Sequence, residues 1–69
     1  MEESVYKVIE VIGSSTESWE QAAAVAIQRA SKSLKDLRVA EVVSMDINLK
    51  DGKVCYRVRL KVSFKHLSV

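Results

Sequence analysis

Apolar residues recur at helical spacing in only one segment, SSTESWEQAAAVAIQRASKSLKDL, from Ser14 to Leu37. Trp19, Ala22, Ala23, Ala26, Ile27, Ala30, Leu34 and Leu37 fall on one stripe of an α-helix, while Glu17, Gln21, Gln28, Arg29, Lys32 and Lys35 form the wet face. Acidic residues gather at the front and basic ones toward the end, the order that suits the helix dipole. Ser14 with Glu17 and Ser18 with Gln21 both have capping-box spacing, so the helix is expected to start between Ser15 and Ser18. Gly13 reads as the exit from a preceding strand. Four of the eight stripe residues are alanine, which predicts that the helix backbone lies close against a broad, smooth partner.

The flanking segments change period. Val5 to Ile12, VYKVIEVI, is rich in β-branched residues and predicts a first strand that is apolar on both faces. Val5, Ile9 and Val11 share one face with Lys7, and Tyr6, Val8 and Ile12 share the other with Glu10. From Arg38 to Lys50 the odd positions Val39, Val43, Met45, Ile47 and Leu49 alternate with more polar residues, predicting a second strand. Lys53 to His66 alternates as a third, with Val54, Tyr56, Val58, Leu60, Val62 and Phe64 on one face and a mostly basic row on the other.

Asp51 and Gly52 join the last two strands with the strongest short hairpin signal. A two-residue turn there sets Leu49 by Val54, Ile47 by Tyr56, Met45 by Val58 and Val43 by Leu60, and places Asp46 opposite Arg57. The helix returns the chain so that strands 1 and 2 run the same way and strand 3 runs opposite. An all-antiparallel sheet then needs strand 3 in the middle. The expected fold is α+β, a βαββ chain whose three-stranded antiparallel sheet has the order 1-3-2 and packs on one helix.

Length adds a requirement for association. The 69 residues read as a single domain, 1–69, and a domain this small buries only roughly 60% of its unfolded surface. Its one cysteine, Cys55, cannot close an intrachain disulfide, and one histidine with one cysteine cannot make a structural zinc site. Oligomerisation is the remaining source of stability, and the second apolar face of strand 1 calls for another subunit. The N-terminal residues do not read as a signal peptide, and no apolar run approaches the ~20 residues of a membrane helix. These features point to a cytoplasmic protein with no membrane partner.

No catalytic constellation stands out, so an enzyme is not expected. His66 is the only histidine, and it reads as a surface or interface residue. Gly13 and Gly52 are the only glycines, too few for a phosphate-cradling loop. Arg57, Arg59, Lys61 and Lys65 could make an electrostatic footprint for nucleic acid. That face lacks stacking aromatics, and Glu10, Glu41 and Asp46 can neutralise the row, so nucleic acid is the less favoured partner. Trp19 lies on the apolar stripe and is expected to pack.

Taken together, VYKVIEVIGSS, the helix with AAAVAIQRASKSL, then LRVAEV and the strand YRVRLKVSFK resemble the dodecins over essentially the whole chain. The resemblance implies a hollow homododecamer built from trimers, which stores or sequesters a ligand without catalysis. Flavin-binding dodecins carry a tryptophan just before the residues matching Ala40, Glu41 and Val42, and its indole stacks on the isoalloxazine. Val39 stands there in this chain. They carry a glutamine between the residues matching Tyr56 and Val58, where this chain has Arg57. In the strict hairpin register these two positions lie on opposite faces, so either strand 2 bends near its start or different subunits supply them.

Both departures resemble a dodecin branch that lacks the flavin pair, has a tryptophan at the position of Trp19 and is associated with calcium. Asp46 is the candidate metal-contacting carboxylate, with pairing to Arg57 as the competing explanation, and Ser44 stands where some flavin-binding members have a metal-contacting carboxylate. Calcium takes six to eight oxygens, so a site would combine chains or use backbone and water. The candidate ligands are thus calcium, or a flavin bound weakly or not at all. A flavin-storage dodecin and a nucleic-acid binder on the basic sheet face are the alternatives.

Overall fold

The computed structural model describes residues 5–33 and 36–66. Four elements follow in the order β1 (Val5–Ser15), α1 (Trp19–Ser33), β2 (Leu37–Lys50) and β3 (Lys53–His66). The sheet order is β1-β3-β2, with β3 antiparallel to both neighbours. The α+β reading and its central third strand are therefore correct.

The helix is shorter than its periodic stretch. Ser18 caps it, its Oγ accepting from the Gln21 N–H at 3.0 Å and its carbonyl from the Ala22 N–H at 3.1 Å. Ser15 is instead the last residue of β1, and its Oγ accepts from the Glu17 N–H at 2.9 Å. At the far end, Leu37 opens β2 and does not continue the helical stripe, whereas Leu34 lies outside the described residues. The cause is Asp36, whose φ of 58° is left-handed and cannot continue a right-handed helix.

Gly13 also departs from expectation. It sits inside β1, opposite Val58, and its role is close approach: a Cβ there would overlap the Ala22 carbonyl oxygen and stand 2.8 Å from the Ala26 Cβ. The alanine-rich stripe thus meets a strand with no side chain at the crossing point. Ala22 and Ala26 are buried there, and with Val58, Leu60 and Val62 of β3 they form the core. A 15-residue helix spans about 22 Å and a 14-residue strand about 46 Å, so α1 covers only half the sheet. The hairpin extends past it, leaving Met45, Ile47 and Leu49 exposed on the helix side, Leu49 by 72%.

Asp51 and Gly52 both have positive φ, 52° and 74°, as a type I′ hairpin requires. The register runs as expected from Lys50–Lys53 through Ser44–Arg59 and then breaks. Val42, not Val43, stands opposite Leu60, and a second irregularity between Leu37 and Val39 leaves Arg38 without a partner position. Each extra residue is a β-bulge, which reverses side-chain parity beyond it. Val39 consequently pairs with Ser63 on the polar face, not with the apolar set assigned by strict alternation, and is 62% exposed.

Candidate functional site

The sheet face turned away from α1 gathers the residues that the sequence marked for binding. Down its centre runs the β3 row of Cys55, Arg57, Arg59 and Lys61, with Ser44 and Asp46 on β2 and Glu10 and Ile12 on β1 alongside. A shallow cleft lined by Ile12, Ser44, Asp46, Arg57 and Arg59 marks its middle.

Asp46 and Arg57 are directly opposed. Arg57 donates from Nε to Oδ1 and from Nη2 to Oδ2 of Asp46, each at 2.7 Å, a bidentate geometry that uses both carboxylate oxygens. The hydrogen-bonded guanidinium holds the Asp46 carboxyl below the usual carboxylate range, with Arg59 acting in the same direction from farther off, and Arg57 is raised in turn. Arg59 reaches Glu10 at 3.9 Å, and Lys61 stands between Glu10 and Glu41 in the register. Arg57 and Arg59 of the basic row are therefore paired within the sheet.

A depressed carboxyl pKa is favourable to the fold above the usual carboxylate range and loses that contribution as pH falls through the folded value. The Asp46 carboxyl is thus expected to titrate below an unperturbed aspartate, and to return toward it in Arg57→Gln, when followed by carboxyl carbon NMR. An ordinary midpoint in the unsubstituted protein would mean that the ion pair does not persist in solution.

The bulges bring Val39 and Arg57 to one face but not together. Val39 stands opposite Ser63, six β3 residues from Arg57, a separation of about 20 Å along the strand. Within one chain Arg57 and Val39 line separate clefts. Trp19 lies on the helix side, where its indole packs edge-to-face on Tyr56 with ring centroids 5.0 Å apart and donates from Nε1 to the Asp46 carbonyl at 3.2 Å. This tie between the helix start and the Asp46 backbone has no signature in the sequence, because it joins residues 27 apart through a main-chain oxygen.

Among the described residues no group of three or more His, Cys, Asp or Glu side chains comes together, and each Asp46 oxygen accepts one hydrogen bond from Arg57. Cys55 is a half-buried free thiol on the same face. The side chain of His66 lies outside the described residues.

The Dodecin family model matches residues 5–66. The chain belongs to the dodecin family. It is 57% identical over 63 residues to the calcium dodecin of Mycobacterium tuberculosis, covering 90% of this chain and 89% of that one. A crystal structure of that calcium dodecin, described as having a novel calcium-binding site, superposes with a TM-score of 0.86 at 55% identity over 93% of both chains. The dodecin from Streptomyces coelicolor superposes with a TM-score of 0.91 at 34% identity over the full length of both chains. The dodecin from Streptomyces davaonensis gives 0.89 at 34%, over 97% of this chain and all of the other. The βαββ architecture of this dodecin chain is thus shared with relatives at both levels of identity.

Proposed function

We propose that this dodecin is a non-catalytic calcium-binding protein that works as a hollow homododecamer, with weak or no affinity for flavin. The observation that carries the reading is the 57% identity to a protein named calcium dodecin, in a chain with Val39 and an Asp46–Arg57 ion pair where flavin-binding members present tryptophan and glutamine. Calcium takes six to eight oxygens, and no three acidic side chains come together among the described residues, so ion binding draws on backbone, water or further chains.

Assembly is supported by the apolar surface that a single chain leaves uncovered. Tyr6, Val8 and Ile12 on one side of the sheet and Met45, Ile47 and Leu49 on the other are each at least half exposed. The 69 residues act as one unit, whose burial is completed by other copies of itself. No helix among the described residues is long and apolar enough to cross a membrane, and a cytoplasmic particle fits this reading. Native mass spectrometry of protein purified without added cofactor is expected to show twelve chains of 7.7 kDa and uptake of calcium on titration. A mass of one or two chains would sink the assembly, a co-purifying flavin would favour flavin storage, and nucleic acid retained at physiological salt would favour the basic-face alternative.

A further inference from the structure

We infer that the outer-face cleft is an oxyanion site occupied by the chain's own Asp46 carboxylate, which makes Asp46 the residue that turns external anionic ligands away. The cleft is lined by Ile12, Ser44, Asp46, Arg57 and Arg59. Apart from Asp46, its polar groups are two guanidiniums, which only donate, and a hydroxyl, which can donate. Such a set suits a carboxylate or a phosphate and repels a cation.

Asp46 is held as arginine holds a bound anion. Arg57 donates to both of its oxygens at 2.7 Å, the fork-to-fork arrangement by which guanidinium recognises carboxylate and phosphate. Nη1 of Arg57 is not part of that contact. Arg59, on the same face of β3, acts through its charge on the same carboxyl. Its contact with Glu10, at 3.9 Å, is longer than a hydrogen bond, so Glu10 does not take up its N–H groups. The free volume beside the carboxylate is about 10 Å³, room for about one water and not for a phosphate. The Asp46 and Arg57 side chains are 51% and 41% exposed, so their pair adds little to the stability of the fold. It competes well with a dissolved anion all the same, because the backbone supplies the carboxylate at a high effective concentration. The inference goes beyond the calcium and flavin readings and depends on neither.

The test is calorimetric titration of the assembled full-length protein with inorganic phosphate and, separately, with acetate. The proteins compared are the unsubstituted chain, Asp46→Ala, Asp46→Asn, Asp46→Ala with Arg57→Gln, and Glu41→Gln. Asp46→Ala is expected to bind at least one of the two anions about tenfold more tightly than the unsubstituted chain. Adding Arg57→Gln should remove that gain. Glu41→Gln takes the same charge from the same sheet face, opposite Lys61 and outside the cleft, and should gain little. Asp46→Asn keeps the size of the side chain, and a gain in the same direction there carries the comparison if Asp46→Ala does not assemble. A gain for phosphate alone assigns the cleft to phosphate-bearing ligands and a gain for acetate alone to carboxylates, and each supports the masking. No gain in either Asp46 variant overturns it, as does a gain that survives Arg57→Gln or is matched by Glu41→Gln. Calcium uptake and riboflavin quenching are separate readouts, so a failure of the proposed function is told apart from a failure of the masking.

Discussion

Gly13→Ala is expected to abolish the folded subunit. The new methyl would overlap the Ala22 carbonyl oxygen and stand 2.8 Å from the Ala26 Cβ, and the nearer of these is helix backbone that no rotamer change can move aside. Inserting a methyl into a packed core usually costs 1–3 kcal/mol, and here relief requires lifting the whole of α1 from β1, so the expected loss exceeds about 3 kcal/mol. A domain this small has little stability to give up. Denaturant unfolding watched by Trp19 fluorescence, with size-exclusion chromatography, should show no cooperative transition and no assembled particle. Ala26→Gly in the same chain should not rescue it, because the Ala22 oxygen remains in place. An unchanged midpoint would show that the helix and strand do not approach this closely.

The second large effect concerns ligand choice. Val39→Trp with Arg57→Gln is expected to raise riboflavin affinity by one to several decades over the unsubstituted protein. Stacking on an aromatic side chain contributes roughly 1–3 kcal/mol per contact, and each 1.4 kcal/mol is about tenfold. Arg57→Gln also replaces a group that only donates with one that donates and accepts. It leaves the Asp46 carboxylate without its guanidinium, so adding Asp46→Asn is expected to increase the gain. Since Val39 and Arg57 of one chain are about 20 Å apart along the sheet, the affinity should vanish when the particle is dissociated. Quenching of riboflavin fluorescence measures this directly. Submicromolar binding by the unsubstituted protein would contradict the reading of Val39, and no gain in the double variant would contradict the match of these positions to the family's flavin site.

Much of the candidate site was legible in the one-dimensional pattern. The Asp51–Gly52 turn sets a register in which Asp46 must face Arg57, and the bidentate pair sits where that count places it. A period of two misplaces Val39 because it assigns a face to every residue by parity, and one inserted residue at Val43 reverses the assignments from Val42 back to Val39. Bulges have no compositional mark in VAEVVSMD. They arise where a twisted strand adjusts to its neighbour.

Strand alternation, the helix face, the hairpin and hence the order β1-β3-β2 are legible in the chain alone, since each follows from local periodicity, turn chemistry and the handedness of the crossover. The excess of apolar surface over what one helix can cover is legible in the same way. Which glycine is a spacer and which is a turn emerges only from the folded arrangement. Gly52 takes its positive φ from the hairpin, whereas Gly13 is required by a helix that crosses nine residues later in the chain. The tertiary structure likewise decided that Trp19 reaches the Asp46 carbonyl and that Val39 turns to the polar face. Gly13 and Trp19 depend on how α1 packs onto the sheet, and Val39 on how β2 pairs with β3, so none of the three follows from the local preference of the residues involved.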